Sequence, residues 1–232
     1  MNKNVIYTAI FGKYDDLPTP QYIPDNWDFI CFTDGDIKSD VWNIKKTTPL
    51  YEDSTRTARK YKILPHRFLQ GYENSIWIDG NFLIKNDINI LWDEHIKHQN
   101  MAVYNHIHCW DKRNCIYEEA NMIEHLFNIN QSPGKQPKDN LDLIKQQMIR
   151  YEEQNYPRNN GLIISGILLR KHNKLDVIKT MEAWWGELKY GSKRDQLSFD
   201  YVCWKNDFTF QSIHEDIRQN HFFELLKHNK HK

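Results

Sequence analysis

The chain has 232 residues and a mass of 28.0 kDa, enough for one large domain or two small ones with a substantial core. Lysine plus arginine and aspartate plus glutamate each number 31, which argues against non-specific binding to nucleic acid. No apolar run is long enough to cross a bilayer, and the mean hydropathy is −0.78. The four cysteines form no C-x-x-C pair and no signal peptide precedes the first apolar run. We therefore expect a cytoplasmic protein, with a peripheral membrane location left open.

Short apolar runs alternate with amphipathic stretches through the first half of the chain. Runs rich in isoleucine, valine and aromatic residues are typical of buried strands, and apolar residues at helical spacing indicate helices. The predicted strands are residues 5–11, 27–33, 41–45, 76–78 and 101–104. The predicted helices are residues 55–64, with Asp53 or Ser54 as N-cap and Pro65 as its end or kink, and residues 88–98.

The second half of the chain continues this alternation with longer helices. Residues 114–127 and 141–151 are amphipathic, and the polar stretch 130–140 between them predicts an exposed loop. Residues 161–170 predict a strand, in which Gly166 indicates close approach by a ligand or a neighbour. Two more helices are predicted at 175–188 and from Arg194 to Trp204, whereas 213–232 gives no clear assignment. The pattern predicts an α/β fold, with a mixed, mostly parallel central sheet flanked by helices in a single domain.

The polar triplet Asp79-Gly80-Asn81 follows the central apolar run directly. In open α/β sheets the ligand crevice lies outside the carboxyl ends of the strands, where this triplet is predicted to fall. Gly80 allows a turn that a side chain would resist. An acid and an amide at this place can bind a divalent cation or accept hydrogen bonds from ribose hydroxyls. Both residues are also ordinary turn formers, so the triplet alone leaves the two interpretations open.

The glycine-rich phosphate-binding signatures are absent from the sequence. Binding of a nucleotide would therefore need strand-end acids, a metal and basic side chains. Arg56, Arg59 and Lys62 lie at helical spacing and can share one face toward an anionic ligand. A solvated basic face is the alternative interpretation of the same spacing.

Two other groups of residues allow a functional and a structural interpretation. The first group is His106, His108, Cys109 and Cys115, whose side chains are of types that can bind zinc. Their spacing matches no standard zinc finger, and the adjacent Trp110 and Arg113 would also suit a polar wall of a substrate site. The other is Trp184-Trp185, which could stack on a sugar, although helical periodicity places Trp185 in the core.

Six motifs in order resemble one known family. They are Y-T-A-I-F-G-x-Y-D, C-F-T-D, R-x-x-R-x-Y-K-I-L-P-H, I-W-I-D-G-N, S-G-I-L-L-R and R-D-Q-L-S-F, and they extend from Tyr7 to about Trp204. The series is similar to the glycosyltransferase-like domain family of the TOD and MUCI type, formerly a domain of unknown function. The resemblance implies a GT-A-like fold that binds a nucleotide sugar and holds a divalent metal, Mn²⁺ or Mg²⁺, on its diphosphate. It also implies a nucleotide-binding part at about residues 1–85 and an acceptor and catalytic part at about 86–232.

The resemblance also implies roles for individual residues. The nucleoside would be surrounded by Thr8, Tyr14, Asp15 and Asp34, and the diphosphate would face Arg56, Arg59 and Lys62. The metal would be bound by Asp79 and Asn81, completed by His214 or His221. Asn81 replaces the second acid of the usual D-x-D motif, which leaves metal dependence in question. The pair Asp195-Gln196 would lie near the anomeric carbon as the catalytic residues.

The function implied is transfer of a sugar from a nucleoside-diphosphate sugar, expected to be a UDP-sugar, to a glycan or other acceptor. Polysaccharide biosynthesis would be its setting, and the resemblance leaves room for a homodimer. Two alternatives remain open: a non-catalytic module that binds nucleotide sugars or glycans, and a metal-assisted hydrolase that uses water as acceptor.

Overall fold

A computed structural model describes residues 3–129 and 139–228. Its strands are β1 Asn4–Ile10, β2 Trp27–Thr33, β3 Asn43–Lys46, β4 Asn74–Ile78, β5 Phe82–Ile84, β6 Met101–Asn105, β7 Ile163–Arg170, β8 Gln211–Ile213 and β9 Phe223–Leu225. Its helices are α1 Ser54–Ile63, α2 Pro65–Phe68, α3 Ile88–His95, α4 Ile116–Ile129, α5 Leu141–Glu153, α6 Leu175–Tyr190 and α7 Gln196–Lys205. A short 3-10 helix, His106–His108, follows β6.

Seven strands form one sheet in the order β3-β2-β1-β4-β7-β6-β8. Strands β1 to β4 pair in parallel, β6 and β8 also pair in parallel, and β7 is antiparallel to both β4 and β6. In this sheet β7 is therefore the one strand that runs opposite to its neighbours. The sheet includes strands from both the nucleotide-binding part and the acceptor part that the resemblance implied. The predicted α/β class with a mixed, mostly parallel sheet flanked by helices is confirmed.

Alternation along β1 shows how the sheet is buried on both faces. Val5 and Tyr7 lie in one apolar core with residues of α1, α6 and α7, whereas Ile6 and Ile10 lie in a second core with α3 residues such as Leu91. Burial on both faces explains why β1 reads as a continuous apolar run, as expected of a parallel strand. The strand ends of this sheet are therefore fixed from two sides.

Most predicted elements are confirmed, with differences at their ends. Asp53 caps α1 by accepting hydrogen bonds from the backbone N–H groups of Thr55 and Arg56. Pro65 ends that helix and begins α2, where its fixed φ suits the first helical position. Helix α3 ends at His95, short of the prediction. The predicted loop 130–140 lies outside the described residues except for its last two.

The unassigned end of the chain begins at the last residue of β8 and contains β9, and these two strands belong to different sheets. Strand β9 pairs antiparallel with β5 in a separate two-stranded sheet. Both tryptophans of the pair Trp184-Trp185 are buried, so neither is a surface platform for a sugar. Within residues 3–129 and 139–228, no helix has the length and apolar character needed to span a membrane.

Candidate active site

A cavity of about 410 Å³ opens at the carboxyl ends of β1 and β4. This is the edge of the sheet at which the sequence predicted a ligand crevice. The first turn of α1 forms another wall, and the segment before α7 a third. The lining residues are Ala9, Ile10, Phe11, Tyr14, Asp15, Ser54, Thr55, Ala58, Arg59, Trp77, Asp79, Gly80, Asn81, Lys193, Arg194 and His228.

The turn after β4 is held by backbone contacts on both sides. The N–H of Asp79 donates to the carbonyl of Gly166 at 2.8 Å, which continues the pairing with β7. A Cβ on Gly80 would lie 2.8 Å from the side chain of Ile10, so close packing is what demands glycine here. Asn81 is tied to Leu226, whose N–H donates to the Asn81 carbonyl and whose carbonyl accepts from Asn81 Nδ2. Asp79, at one end of the turn, thus faces the cavity. Asn81, at its other end, anchors the segment that follows β9.

Two carboxylates and two cations form a compact cluster beneath the cavity. Lys62 Nζ lies 2.7 Å from Asp195 Oδ2 and 3.2 Å from Asp79 Oδ1. Arg59 lies between the same acids, with Nε 3.2 Å from Asp195 and Nη1 3.5 Å from Asp79. The formal charges of these four residues cancel. Oppositely charged groups at these distances in a buried place interact far more strongly than on the surface.

The environment of Asp195 keeps its carboxylate ionised. Burial by itself raises the pKa of Asp195, but Arg59, Lys62 and a hydrogen bond from Ser165 Oγ together hold it well below its usual range. Lys62 has a fully buried side chain, and burial together with the nearby Arg59 guanidinium lowers its pKa despite the two acids. Asp195 stands at the N-cap position of α7, but its carboxylate makes no capping hydrogen bond to that helix. Arg59, Lys62 and Ser165 hold the carboxylate instead.

The cluster rests on a buried support. Trp77 Nε1 donates to Asp79 Oδ1 at 2.8 Å, and Trp184 Nε1 donates to the backbone carbonyl of Asp195 at 3.0 Å. Tyr7 donates its hydroxyl to the carbonyl of Lys62 at 2.8 Å. Each of these aromatic side chains is fully or almost fully buried. The aromatic core therefore fixes the positions of the charged side chains.

Five of the residues predicted near the nucleoside or phosphate occupy different surroundings. Tyr14 and Asp15 line the cavity. Asp34 accepts a hydrogen bond from the Gly12 N–H at 3.0 Å and so supports the turn after β1. Thr8 is fully buried in that strand. Arg56 donates through Nη1 to the carbonyl of Leu188 and through Nη2 to that of Gly191 at the end of α6.

Of the three predicted basic residues, only Arg59 lines the cavity. Arg56 contacts the end of α6, and Lys62 lies behind Arg59 with no exposed side chain. Helical spacing allowed the three to share one side of α1, but it could not show what each side chain would meet. The phosphate-facing role of Arg59 stays a prediction.

Gln196 adjoins the charge cluster on its other side. Its Nε2 lies 3.2 Å from the Ile163 carbonyl and 3.2 Å from His106 Nε2. His106 Nδ1 in turn lies 3.5 Å from Asp111 Oδ1. The pair Asp195-Gln196 therefore connects the cavity to a second polar cluster after β6.

The residues proposed for the metal are not gathered at one place. Asp79 and Asn81 line the cavity, whereas His214 stacks on His108 with ring centroids 4.2 Å apart and His221 lies beside Phe222. In the part of the chain that the structure describes, no three His, Cys, Asp or Glu side chains are grouped as metal ligands. The zinc hypothesis for residues 106–115 is therefore wrong: Cys109 and Cys115 are buried among apolar residues.

The cavity contains three basic residues that the sequence analysis did not select: Lys193, Arg194 and His228. His228 Nδ1 lies 2.7 Å from Asp15 Oδ1. Burial raises the pKa of Asp15, and the nearby Asp79 carboxylate raises it further. The contact with His228 lowers this pKa, but the net shift is upward. Lys193 and Arg194 come from the segment before α7. Their position directly before Asp195 was a usable signal, whereas nothing in the sequence distinguished His228 from the other tail histidines.

Comparisons with known proteins give one family and several solved structures of low identity. No curated protein matches the chain. Among solved structures, mouse xyloside xylosyltransferase 1 in its apo form is 8% identical, with a TM-score of 0.47 over 91% of this chain and 84% of that one. The galactosyltransferase LgtC with donor and acceptor sugar analogs is 10% identical (TM-score 0.41, 84% and 69%), and the mannosyltransferase Ktr4p from S. cerevisiae is 8% identical (0.40, 86% and 66%). Residues 31–228 match the model of the "TOD1/MUCI70, glycosyltransferase-like domain" family, and the chain belongs to this family.

Proposed function

We propose that this domain transfers a sugar from a nucleoside-diphosphate sugar, with UDP as the nucleotide, to a glycan acceptor. The observation that carries the proposal is the cavity at the carboxyl edge of β1 and β4, where cations and acids meet beside Asp195. A cavity of about 410 Å³ lies within the range of small-molecule sites. Membership of a glycosyltransferase-like family supports the reaction class.

The walls of the cavity suit the two ends of such a donor. Tyr14 offers an aromatic surface for a nucleoside base. Ser54 and Thr55 place the first turn of α1 at the same cavity, where their hydroxyl groups can donate to phosphate. The backbone N–H groups of Thr55 and Arg56 are already bound by the Asp53 carboxylate. Lys193 and Arg194 would add charge-assisted hydrogen bonds from the opposite wall.

The charge cluster would hold Arg59 ready for the diphosphate. Arg59 has about a fifth of its side chain exposed, whereas Lys62 has none. Arg59 would therefore contact phosphate directly, and Lys62 would keep Asp79 and Asp195 in place. The order imposed on Arg59 before binding reduces the entropy lost when the donor binds.

A divalent metal fits this site only with help from the donor. Asp15 and Asp79 are carboxylates of the cavity and His228 is its imidazole, but they form no ready three-ligand group. Mg²⁺ commonly takes one or two carboxylates and completes its coordination with substrate phosphates and water. When bound on the diphosphate, such an ion would supply Lewis-acid stabilisation of the leaving nucleotide. Arg59, Lys193 and Arg194 would neutralise the same charge from the protein side.

In the transfer step, Asp195 would keep a negative charge close to the reacting sugar. Its ionised state follows from Arg59 and Lys62, and a fixed anion stabilises positive charge that develops at the anomeric carbon. Gln196 would orient a hydroxyl on the side of the cluster away from Lys62. Oriented contacts of this kind act mainly in the transition state.

Calorimetry with UDP-, GDP- and ADP-sugars, with and without Mn²⁺, tests donor binding. Arg194→Ala should weaken binding of the preferred donor about tenfold or more, as expected for one charge-assisted contact. Arg158→Ala is the matched control, because Arg158 is an exposed arginine paired with Glu152 and lies outside the donor cavity. Equal donor affinity in both variants would refute the placement of the diphosphate.

Turnover then separates the alternatives. Release of free nucleotide that depends on an added glycan supports the transferase. Release at the same rate without any glycan supports the metal-assisted hydrolase. Tight donor binding with no release under any condition supports a non-catalytic module. Whether the reaction depends on Mn²⁺, which Asn81 leaves in question, is read from the same assay after chelation.

A further inference from the structure

A surface patch next to the candidate active site is built around Trp110. This side chain is 78% exposed, which is unusual for the largest apolar residue. It follows the short 3-10 helix after β6, and Cys109 on its amino side is buried and anchored in the core. The Arg218 guanidinium lies 5.3 Å from the centre of the indole ring. The ring is thus held in a defined place while most of its surface faces solvent.

A continuous series of contacts joins this patch to the site. Gln196 lies 3.2 Å from His106, and His106 lies 3.5 Å from Asp111. Asp111 accepts a hydrogen bond from Arg218 at 3.1 Å, and Arg218 covers Trp110. The patch therefore adjoins the residue that follows Asp195 in the chain. It lies on the β6 side of the sheet, whereas the donor cavity lies at β1 and β4.

The charges around the ring are largely compensated within the patch. Asp111 accepts from Arg113 at 2.9 Å as well as from Arg218. Arg113 also lies 2.9 Å from Glu119, and Arg218 lies 3.0 Å from Asp216. Two guanidinium groups thus meet three carboxylates. Two positive and three negative formal charges leave this surface slightly negative. It therefore does not attract a polyanion, but it offers both donors and acceptors to hydroxyl groups.

We propose that Trp110 is the platform on which a neutral pyranose of the acceptor glycan stacks. Asp111 and Arg218 would bind its hydroxyls, and His106 would hold Gln196 toward the reacting hydroxyl. An aromatic ring offers a rigid apolar face, and the C–H groups of a pyranose present a matching one. The proposal rests on the transferase function in one respect: the bound sugar is the acceptor only if transfer takes place.

Binding is tested directly on the full chain by labelling with 5-fluorotryptophan and recording ¹⁹F spectra. The Trp110 resonance is identified by its loss in Trp110→Phe. Neutral cello-, manno-, xylo- and galacto-oligosaccharides are added at millimolar concentration, with an oligogalacturonide as the anionic comparison. We expect one neutral series to shift the Trp110 resonance. No shift with any neutral series, or a shift with the anionic oligosaccharide alone, overturns the proposal.

The kinetic test uses Trp110→Ala with Tyr190→Ala as matched control, since Tyr190 is an aromatic residue of similar exposure at 75%. Trp110→Ala should raise the KM for the acceptor about tenfold, the loss of one stacking contact, with donor affinity unchanged. Trp110→Phe should recover part of this loss. Transfer kinetics in Trp110→Ala equal to those in the control would overturn the platform and leave the proposed function intact. A Trp110 shift without any turnover would instead support the platform while the proposed function fails.

Discussion

Replacing Asp195 by asparagine tests whether the buried charge cluster determines both stability and chemistry. The substitution keeps the shape of the side chain but leaves Lys62, which is fully buried, with Asp79 as its remaining anion. Removal of one partner from a buried ion pair costs about 3–5 kcal/mol. Because Asp79 still compensates part of the charge, we expect Asp195→Asn to lower the free energy of unfolding by about 3 kcal/mol. That is a large fraction of the stability of a typical domain.

Urea unfolding monitored by tryptophan fluorescence measures this loss as a shift of the midpoint by about 1–2 M. Lys62→Met is the second single variant. The double variant should lose about 2 kcal/mol less stability than the two single variants lose together. The pKa of Asp195 is lowered in the folded protein, so its stabilisation is present above the ordinary aspartate pKa of about 3.9 and is lost as the pH falls below it. A loss under about 0.5 kcal/mol with additive effects would refute the reasoning.

Three further predictions concern residues outside the cluster. Burial raises the pKa of Asp200 to about 7; the folded protein therefore keeps this proton while the unfolded chain loses it, and stability should fall by roughly 1 kcal/mol per pH unit between about pH 4 and 7. Thermal unfolding of Asp200→Asn should lack this fall in stability. Equal pH profiles of stability in the variant and the original protein would contradict the prediction. Arg56→Ala should cost about 1–2 kcal/mol in urea unfolding, because two carbonyls at the end of α6 lose their donor, while a tenfold loss of donor affinity would instead support the phosphate role. Gly166→Ala would place a Cβ 2.8 Å from the Phe82 ring and should destabilise by about 1–3 kcal/mol, an estimate that an unchanged midpoint would refute.

The strands that frame the site could be predicted because each is a continuous apolar run. Strands β1, β2, β4 and β7 are buried on both faces, so their sequences carry a strong signal. The same signal located Asp79, since a polar triplet that ends such a strand falls at the ligand edge of the sheet. Local sequence was sufficient for the strands and for Asp79. Asp195 was selected through the resemblance of its motif to the family, because local sequence alone marks it only as an acid at the start of a helix.

The partners of these acids could not be predicted, because they are contacts between distant segments. Lys62 and Asp195 lie 133 residues apart, and nothing in the spacing of α1 indicates which acid its lysine meets. Arg56 lies about one helical turn before Arg59, yet it meets the end of α6. Strand β9 has three residues, too few for a periodic pattern to be recognised, and its partner β5 is equally short.

The attachment of the chain end to the turn after β4 has a consequence for how this domain is made on the ribosome. Asn81 is synthesised 145 residues before its partner Leu226, and His228 follows every strand of the seven-stranded sheet. Chains emerge from their amino end, so the sheet has all its strands before these closing contacts can form. The cavity is thus finished last. A nascent chain that has not yet reached residue 228 would have the strands of the sheet without the part of the cavity wall that contains His228.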